Sequence, residues 1–151
     1  MKKLILTTIS LLFSIISFSQ ELDTALVNKT LREEEKIFIE LINQERIKRN
    51  LSTLTFDQGF YDSISTPQAK YMAKNKILEH TPNGVNDHAL ECVSKSFLDT
   101  DSIAGDIVKL FKSSKPHWRS LMRPYSTIIS IRIEHTTRGK FETLYSCVNF
   151  R

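Results

Sequence analysis

The side chains best suited to chemistry in this sequence are four histidines and two cysteines. The histidines are His80, His88, His117 and His135, and no motif such as H-E-x-x-H joins two of them by spacing alone. The chain also lacks a G-x-S-x-G nucleophile elbow and, with only four glycines, a Gly-rich phosphate loop. Any site built from these histidines must therefore be assembled by the fold.

The N-terminus predicts export. Two lysines precede the uncharged, mainly apolar run 4–18, and Ser17-Phe18-Ser19 puts small residues where a signal peptidase reads. A retained membrane anchor is the alternative, but the run falls short of the roughly 20 residues that cross a bilayer as a helix. We therefore expect residues 1–19 to be a signal peptide cleaved before Gln20, and a secreted protein without a stable membrane anchor.

The charge of the chain says little about its partners. The full sequence has 21 basic and 17 acidic residues, and two of the basic ones belong to the expected signal peptide. No block of Lys and Arg interleaved with aromatic residues occurs, so we expect no nucleic-acid binding. The remaining length suits one domain, and we expect a monomer.

The two cysteines, Cys92 and Cys147, allow two interpretations in an exported chain. They form a disulfide, or they are separate buried thiols that behave as small hydrophobic residues. The residues alone leave both open.

The hydrophobic pattern predicts helices first and a β-hairpin at the end. A capping box, Thr30-x-x-Glu33, opens the first helix, and Asn50 is its expected stop. Thr66-Pro67 is expected to cap, kink or break the second helix. The predicted elements are helices over 31–48, 57–76 and 102–113, a short strand over 91–96, a short helical piece to Met122, and strands over 127–134 and 140–150.

Two apolar patterns place the core. The third helix is expected to bury one stripe, consisting of Ile107, Val108, Leu110 and Phe111. The first strand of the hairpin alternates, so Ile129, Ile131 and Ile133 should share one face. This order of elements predicts an α+β domain over 31–151, preceded by a flexible lead-in over 20–30.

Several segments, in order, resemble the CAP-domain family. These are the SCP-like proteins, named after cysteine-rich secretory proteins, antigen 5 and plant pathogenesis-related proteins. His80-Thr81-Pro82-Asn83-Gly84 is similar to their H-T-x-x-x-G element, one residue shorter, and the run Phe111 to His117 is similar to bacterial W-M-N-S-P-G-H. Leu41-Ile42-Asn43-x-x-Arg46, followed by Leu51-x-x-Leu54-x-Phe56-Asp57, resembles the opening helix and turn. The short bacterial type of the family is the nearest pattern.

The resemblance implies an α-β-α sandwich, with a small three-stranded antiparallel sheet between helical layers. It also implies a common cleft for three side chains, His80, Glu91 and His117. Two imidazoles and a carboxylate suit zinc or another divalent cation with one position open for water. The carboxylate could instead orient a histidine ring from behind.

This chain departs from the family pattern at the cleft. Leu90-Glu91-Cys92 stands in place of G-E-N, and Ser114 stands where some members carry a further acid. Cys92 lies beside the segment that matches G-E-N, and Cys147 lies on the last strand of the hairpin. If those two strands pair, as we expect, the disulfide becomes the favoured interpretation.

Family resemblance alone does not fix an activity. We expect a non-enzymatic extracellular binding module for a lipid, a peptide or a surface glycan, with a His/Glu cleft able to hold a metal. The alternative is a zinc-assisted hydrolase that uses His80, Glu91 and His117 to activate water. A third interpretation is a cell-surface interaction domain with an inactive cleft.

Overall fold

The computed structural model of the 151-residue chain describes most of the sequence after the N-terminus. The described residues are 27–28, 30–82, 90–97, 102–138 and 141–151. The predicted signal peptide and most of the lead-in lie outside them. The chain divides into two compact units, Met1–Glu33 and Glu34–Arg151. Within the described ranges, no helix has the length and apolar character needed to span a bilayer.

Among the described residues the first helix, α1, covers 27–28 and 30–47, and it ends as its sequence predicts. Asn50 has a positive φ of 58°, a conformation that Asn tolerates better than most residues at a helix end. The Asn43 side chain then holds the returning chain, since its Nδ2 donates to the Leu54 carbonyl (3.0 Å) and its Oδ1 accepts from the Leu54 amide (2.7 Å). This clamp places strand β1, Thr55–Phe56.

The second predicted helix is irregular at Pro67. A short helix α2, Gln58–Phe60, continues through a π-helical turn, Tyr61–Ser65, into α3, Thr66–Asn75. Proline has no amide hydrogen and its ring clashes with the carbonyl four residues earlier, so a wider turn before Pro67 relieves the clash. The predicted irregularity is confirmed, but Thr66 does not cap a new helix, because the helical backbone runs through Ser65.

Among the described residues the sheet has four strands, where the resemblance implied three antiparallel ones. The other strands are β2, Leu90–Phe97, β3, Ile128–Arg138, and β4, Phe141–Phe150. Their order is β1-β3-β4-β2, with β1 parallel to β3 and the other pairs antiparallel. The prediction missed β1 because two residues are too short to show alternation. The predicted hairpin and the strand near 91–96 are confirmed.

Helices cover both faces of the sheet. On one face, α3 packs against β3 and β4, and its Ala69, Met72 and Ala73 join Val93 and Tyr145 in a buried cluster. The opposite face carries the predicted isoleucines at 129, 131 and 133, each 0% exposed. The chain is therefore an α-β-α sandwich, as predicted.

Two further helices complete the second layer. Helix α4, Ile103–Ser113, is capped by Ser102, whose hydroxyl accepts from the Gly105 amide (3.1 Å). A ring contact between Phe38 and Phe111, with centroids 6.1 Å apart, joins α4 to α1. Helix α5, Lys115–Leu121, follows directly. The predicted stripe on α4 is buried except at Leu110, which is 41% exposed, so that part of the prediction was wrong.

Candidate functional site: a carboxylate–histidine pair at the sheet edge

His80 lies in the loop that follows α3, and two contacts shape this loop. Lys76 has a positive φ of 59° and ends α3 with a left-handed turn. Buried Gln68 then donates from Nε2 to the Glu79 carbonyl at 2.6 Å, which ties the residue before His80 back to the helix. The imidazole itself remains open to solvent, with 60% of its side chain exposed.

Glu91 lies on β2 with its side chain only 6% exposed, and its carboxylate is surrounded by donors. Oε1 lies 2.9 Å from His80 Nδ1 and accepts from the Thr81 amide at 2.9 Å. Oε2 accepts from the Thr81 hydroxyl at 2.5 Å and from the Cys147 thiol at 3.4 Å. Since an ionised carboxylate only accepts hydrogen bonds, His80 carries its proton on Nδ1 in this arrangement.

A series of buried, hydrogen-bonded polar side chains extends from Glu91 beneath α3. Asn149, paired with Glu91 across β2 and β4, donates from Nδ2 to Cys147 Sγ (3.1 Å) and to Ser65 Oγ (3.0 Å). Ser65 in turn shares a 2.6 Å hydrogen bond with Ser130. The π-helical turn positions the Ser65 side chain to join this series of hydrogen-bonded polar side chains.

Sequence patterns do not identify the polar residues Ser65, Gln68, Ser130 and Asn149 as part of this site. For Cys147 they predict only a disulfide or a buried thiol that behaves as a small hydrophobic residue. The strand pairing of β2 with β4 was the signal that could have placed Cys147 beside Glu91.

His117 lies in the first turn of α5. Its ring meets the edge of Phe111, with centroids 5.4 Å apart and planes at 66°. Burial lowers the pKa of His117, and the nearby charge of His80 lowers it further. The lowered pKa favours the neutral ring, which is the form of histidine that binds a cation.

The structure thus brings His80 and Glu91 into direct contact. It also places His117 near enough to His80 for a positive charge on His80 to lower the pKa of His117. Within the described residues, no group of three His, Cys, Asp or Glu side chains is arranged to hold a metal ion. Glu91 already accepts from four donors, which fits a group that orients His80 better than a third metal ligand. The two imidazoles are the side chains that could hold a cation here.

The other two histidines do not join this group. His88 lies outside the described residues. His135 is half-buried on β3, and its Nδ1 is buried without a hydrogen-bond partner among the described residues.

The predicted disulfide is wrong in this structure, because Cys92 and Cys147 are both free and buried. Cys92 pairs with Val148 and Cys147 pairs with Val93. Since side chains alternate between faces along a strand, the two thiols lie on opposite faces of the sheet. A disulfide needs Cβ atoms about 3.5–4.5 Å apart with converging directions, which this register does not offer.

The α-β-α sandwich and the carboxylate–histidine pair at the sheet edge together indicate the class of domain to which this protein belongs. The chain belongs to the cysteine-rich secretory protein family, the CAP family, whose model matches residues 39–150. A comparison with curated protein sequences found no match.

Two bacterial proteins of known structure have a similar fold. An outer surface protein from Borrelia burgdorferi is similar at 19% identity and a TM-score of 0.60, covering 79% of this chain and 93% of its own. An extracellular protein containing an SCP domain from Bacillus anthracis is similar at 20% identity and a TM-score of 0.56. That match covers 80% of this chain but 40% of the longer Bacillus protein. At these identities the similarity establishes the fold.

Proposed function

We propose that the protein is an exported, non-enzymatic binding module whose cleft binds a divalent cation through His80 and His117. In this proposal Glu91 is the orienting group for His80. The observation that carries it is the 2.9 Å contact between His80 Nδ1 and Glu91 Oε1. A ring held at Nδ1 presents Nε2, the atom through which a histidine oriented from behind ligates a metal.

The surroundings of Glu91 support an orienting role. Its two oxygens accept from an amide, a hydroxyl, an imidazole and a thiol, so any rotation of the carboxylate breaks several hydrogen bonds at once. Burial raises the pKa of Cys147 well above its ordinary value, and the charge of Glu91 raises it further. The thiol therefore stays protonated and donates to the carboxylate.

The hydrolase alternative receives less support from this geometry. A zinc hydrolase needs a carboxylate free to act as general base. Glu91 is committed to its four donors, and Asp106 on α4 pairs with Lys109 at 2.9 Å. Asp99 and Asp101 lie outside the described residues.

The expected export of the protein is consistent with the same proposal. The N-terminal pattern predicts a signal peptide, and similar proteins are named as an outer surface protein and an extracellular protein.

Zinc calorimetry tests the proposal. We expect wild type to bind one Zn²⁺ per chain and His117→Ala to lose detectable binding, because one of the two ligating imidazoles is removed. Glu91→Gln should bind about 10–100-fold more weakly, the usual cost of losing an orienting partner behind a metal ligand.

His135→Ala is the matched control and should bind like wild type, while circular dichroism checks that every variant is folded. Equal binding by wild type and His117→Ala, or no binding by wild type, would overturn the proposal.

A further inference from the structure

The end of α1 and the region around α5 carry positive charge without acidic residues. Residues 46–56 and 107–133 contain no Asp or Glu. The fold brings these two segments together, since the Arg49 guanidinium lies 5.2 Å from the centroid of the Trp118 ring. The two segments therefore concentrate their cations at the same end of the domain.

Three cations in this region already share one carboxylate, that of Glu45. The distances are 2.9 Å from Lys48 Nζ, 2.7 Å from Arg49 Nη1 and 3.1 Å from Lys112 Nζ. These hydrogen bonds lower the pKa of Glu45 to about 2, so the carboxylate stays ionised and paired. Arg49 and Lys112 also lie over the Trp118 ring. These three cations have partners within the domain, and we assign them no ligand.

Three further cations form a row on the exposed side of α5. Lys115, Arg119 and Arg123 follow each other at intervals of four residues, which places them on one side of successive helical turns. The turn continues past the end of α5, since the Arg123 amide donates to the Ser120 carbonyl at 3.2 Å. All three residues are exposed, and within the described part of the chain none of their side chains has an ion-pair partner. We call these three residues the basic row.

The basic row is unfavourable for α5 itself. The helix contains no acidic residue, and Lys115 lies in its first turn, where the helix dipole favours negative charge. Like charges four residues apart also repel each other across one helical turn. Only Arg119, in the last turn, is favoured by the dipole. A local arrangement that costs stability without an internal partner is typical of a functional surface, where an external anion supplies the compensation.

Tyr125 adds an aromatic ring next to the basic row. It is 89% exposed and lies two residues after Arg123. Among the described residues from 114 to 127, it is the one large hydrophobic side chain that is exposed. An exposed ring of this kind offers a flat apolar face, which suits the C–H face of a sugar ring.

We propose that the basic row and Tyr125 bind an acidic polysaccharide, with its carboxylates on the three cations and a sugar ring on Tyr125. From Lys115 to Arg123 the row is about 12 Å long, at roughly 1.5 Å per residue, so it spans more than one sugar of an extended chain. The guanidinium groups of Arg119 and Arg123 each match a carboxylate with two parallel hydrogen bonds. The inference rests on the expected export of the protein, and it does not depend on cation binding in the cleft.

The composition of this surface favours a flexible polyanion over a protein or a membrane. A protein partner is held mainly by buried aromatic and apolar anchors, and a membrane surface receives several inserted apolar side chains. Tyr125 is a single residue of this kind. Neutralisation of charge along a polymer needs only exposed cations, which the basic row provides at each turn.

Binding of a fluorescein-labelled decamer of galacturonate, followed by anisotropy, tests the proposal. The protein is first freed of metal with EDTA, so that the result is independent of the candidate cation site. We expect saturable binding at 50 mM salt and an affinity at least about tenfold lower at 200 mM salt, because the contacts release counterions. The methyl-esterified decamer has the same sugars without the charges and should bind at least about tenfold more weakly.

Two matched double variants localise the binding. Lys115→Ala/Arg119→Ala removes two cations of the basic row and should weaken decamer binding at least about tenfold. Lys70→Ala/Lys74→Ala removes two exposed cations with the same spacing from α3, on the other face of the sheet, and should leave binding unchanged. Circular dichroism checks that both variants are folded.

Tyr125→Ala separates the sugar contact from the charge. It should weaken decamer binding by about threefold and leave the salt dependence unchanged, because it removes ring contacts but no charge. An unchanged affinity in this variant would contradict the sugar contact.

Several results would overturn the proposal. These are no saturable binding of the galacturonate decamer, equal binding of its methyl ester, and an unchanged affinity in Lys115→Ala/Arg119→Ala. Tighter binding of a thymidine decanucleotide than of the galacturonate decamer would assign the basic row to nucleic acid instead. Binding to phosphatidylglycerol vesicles without binding of the decamer would assign it to a membrane surface.

Discussion

Arg46→Ala should lower the free energy of unfolding by about 3–5 kcal/mol, the largest effect of any single substitution that we expect in this chain. Arg46 is 0% exposed, and its guanidinium donates to four backbone carbonyls. Nε donates to Ser52 (2.7 Å), Nη1 to Leu121 (2.8 Å) and Arg123 (3.0 Å), and Nη2 to Ser126 (3.1 Å).

These four bonds explain the size of the effect. The guanidinium joins the end of α1 to the last turn of α5 and to the connection that leads into β3. Removing it leaves four acceptors short of a donor, and each buried unsatisfied group costs about 1–3 kcal/mol before any relaxation or entry of water. Since small domains are stable by only about 5–15 kcal/mol, a large share of the stability depends on this side chain.

Urea denaturation of the purified protein measures this effect. Arg46→Lys should also be strongly destabilised, because one ammonium cannot span carbonyls on two separate segments. Arg119→Ala on the exposed side of α5 is the control and should change the free energy of unfolding by less than about 0.5 kcal/mol. A loss below about 1 kcal/mol in Arg46→Ala would contradict the role assigned to these hydrogen bonds.

Thiol reactivity should differ by at least about 1,000-fold between the native and the denatured protein, for two reasons that act together. Burial and the charge of Glu91 raise the pKa of Cys92 to about 12, and the pKa of Cys147 is also raised well above its ordinary value. At about pH 8 such a thiol is almost entirely protonated, and only the thiolate reacts with disulfide reagents. Both side chains are also buried, which hinders access of the reagent.

The measurement uses an aromatic disulfide reagent on protein purified without reductant. We expect two thiols per chain to react in denaturant, and neither to react rapidly in the native state. Cys92→Ala should leave one thiol, and that thiol should be equally slow in the native state. Absence of any thiol in the denatured, unreduced protein would instead support the disulfide and contradict the register of β2 and β4.

The architecture could be predicted from local pattern because most of its elements are long. Periodic apolar residues located α1, α4 and the terminal hairpin, and alternation placed the three isoleucines of β3 in the core. Strand β1 has two residues, and its position depends on the Asn43 clamp rather than on any pattern of its own. Leu110 fits the apolar period of α4, but its exposure depends on how α4 lies beside β2, which the period does not specify.

The candidate site was only partly predictable. The residue types of His80, Glu91 and His117 could be transferred from the family resemblance, but their roles depend on hydrogen bonds between distant segments. The pairing register decides that Cys147 faces Glu91 while Cys92 faces the other side of the sheet. A shift of one residue would exchange these two environments, and nothing in the sequence near either cysteine fixes that shift.

The central claim of this account is that Glu91 holds His80 by Nδ1 and leaves Nε2 available for a ligand. The tautomer of the neutral His80 ring, read from the two ring nitrogen shifts by long-range ¹H–¹⁵N correlation, tests it most directly. We predict the Nδ1–H tautomer in wild type and its loss in Glu91→Ala, where the acceptor is gone. An Nε2–H tautomer in wild type, or an Nδ1–H tautomer that survives in Glu91→Ala, would contradict the claim.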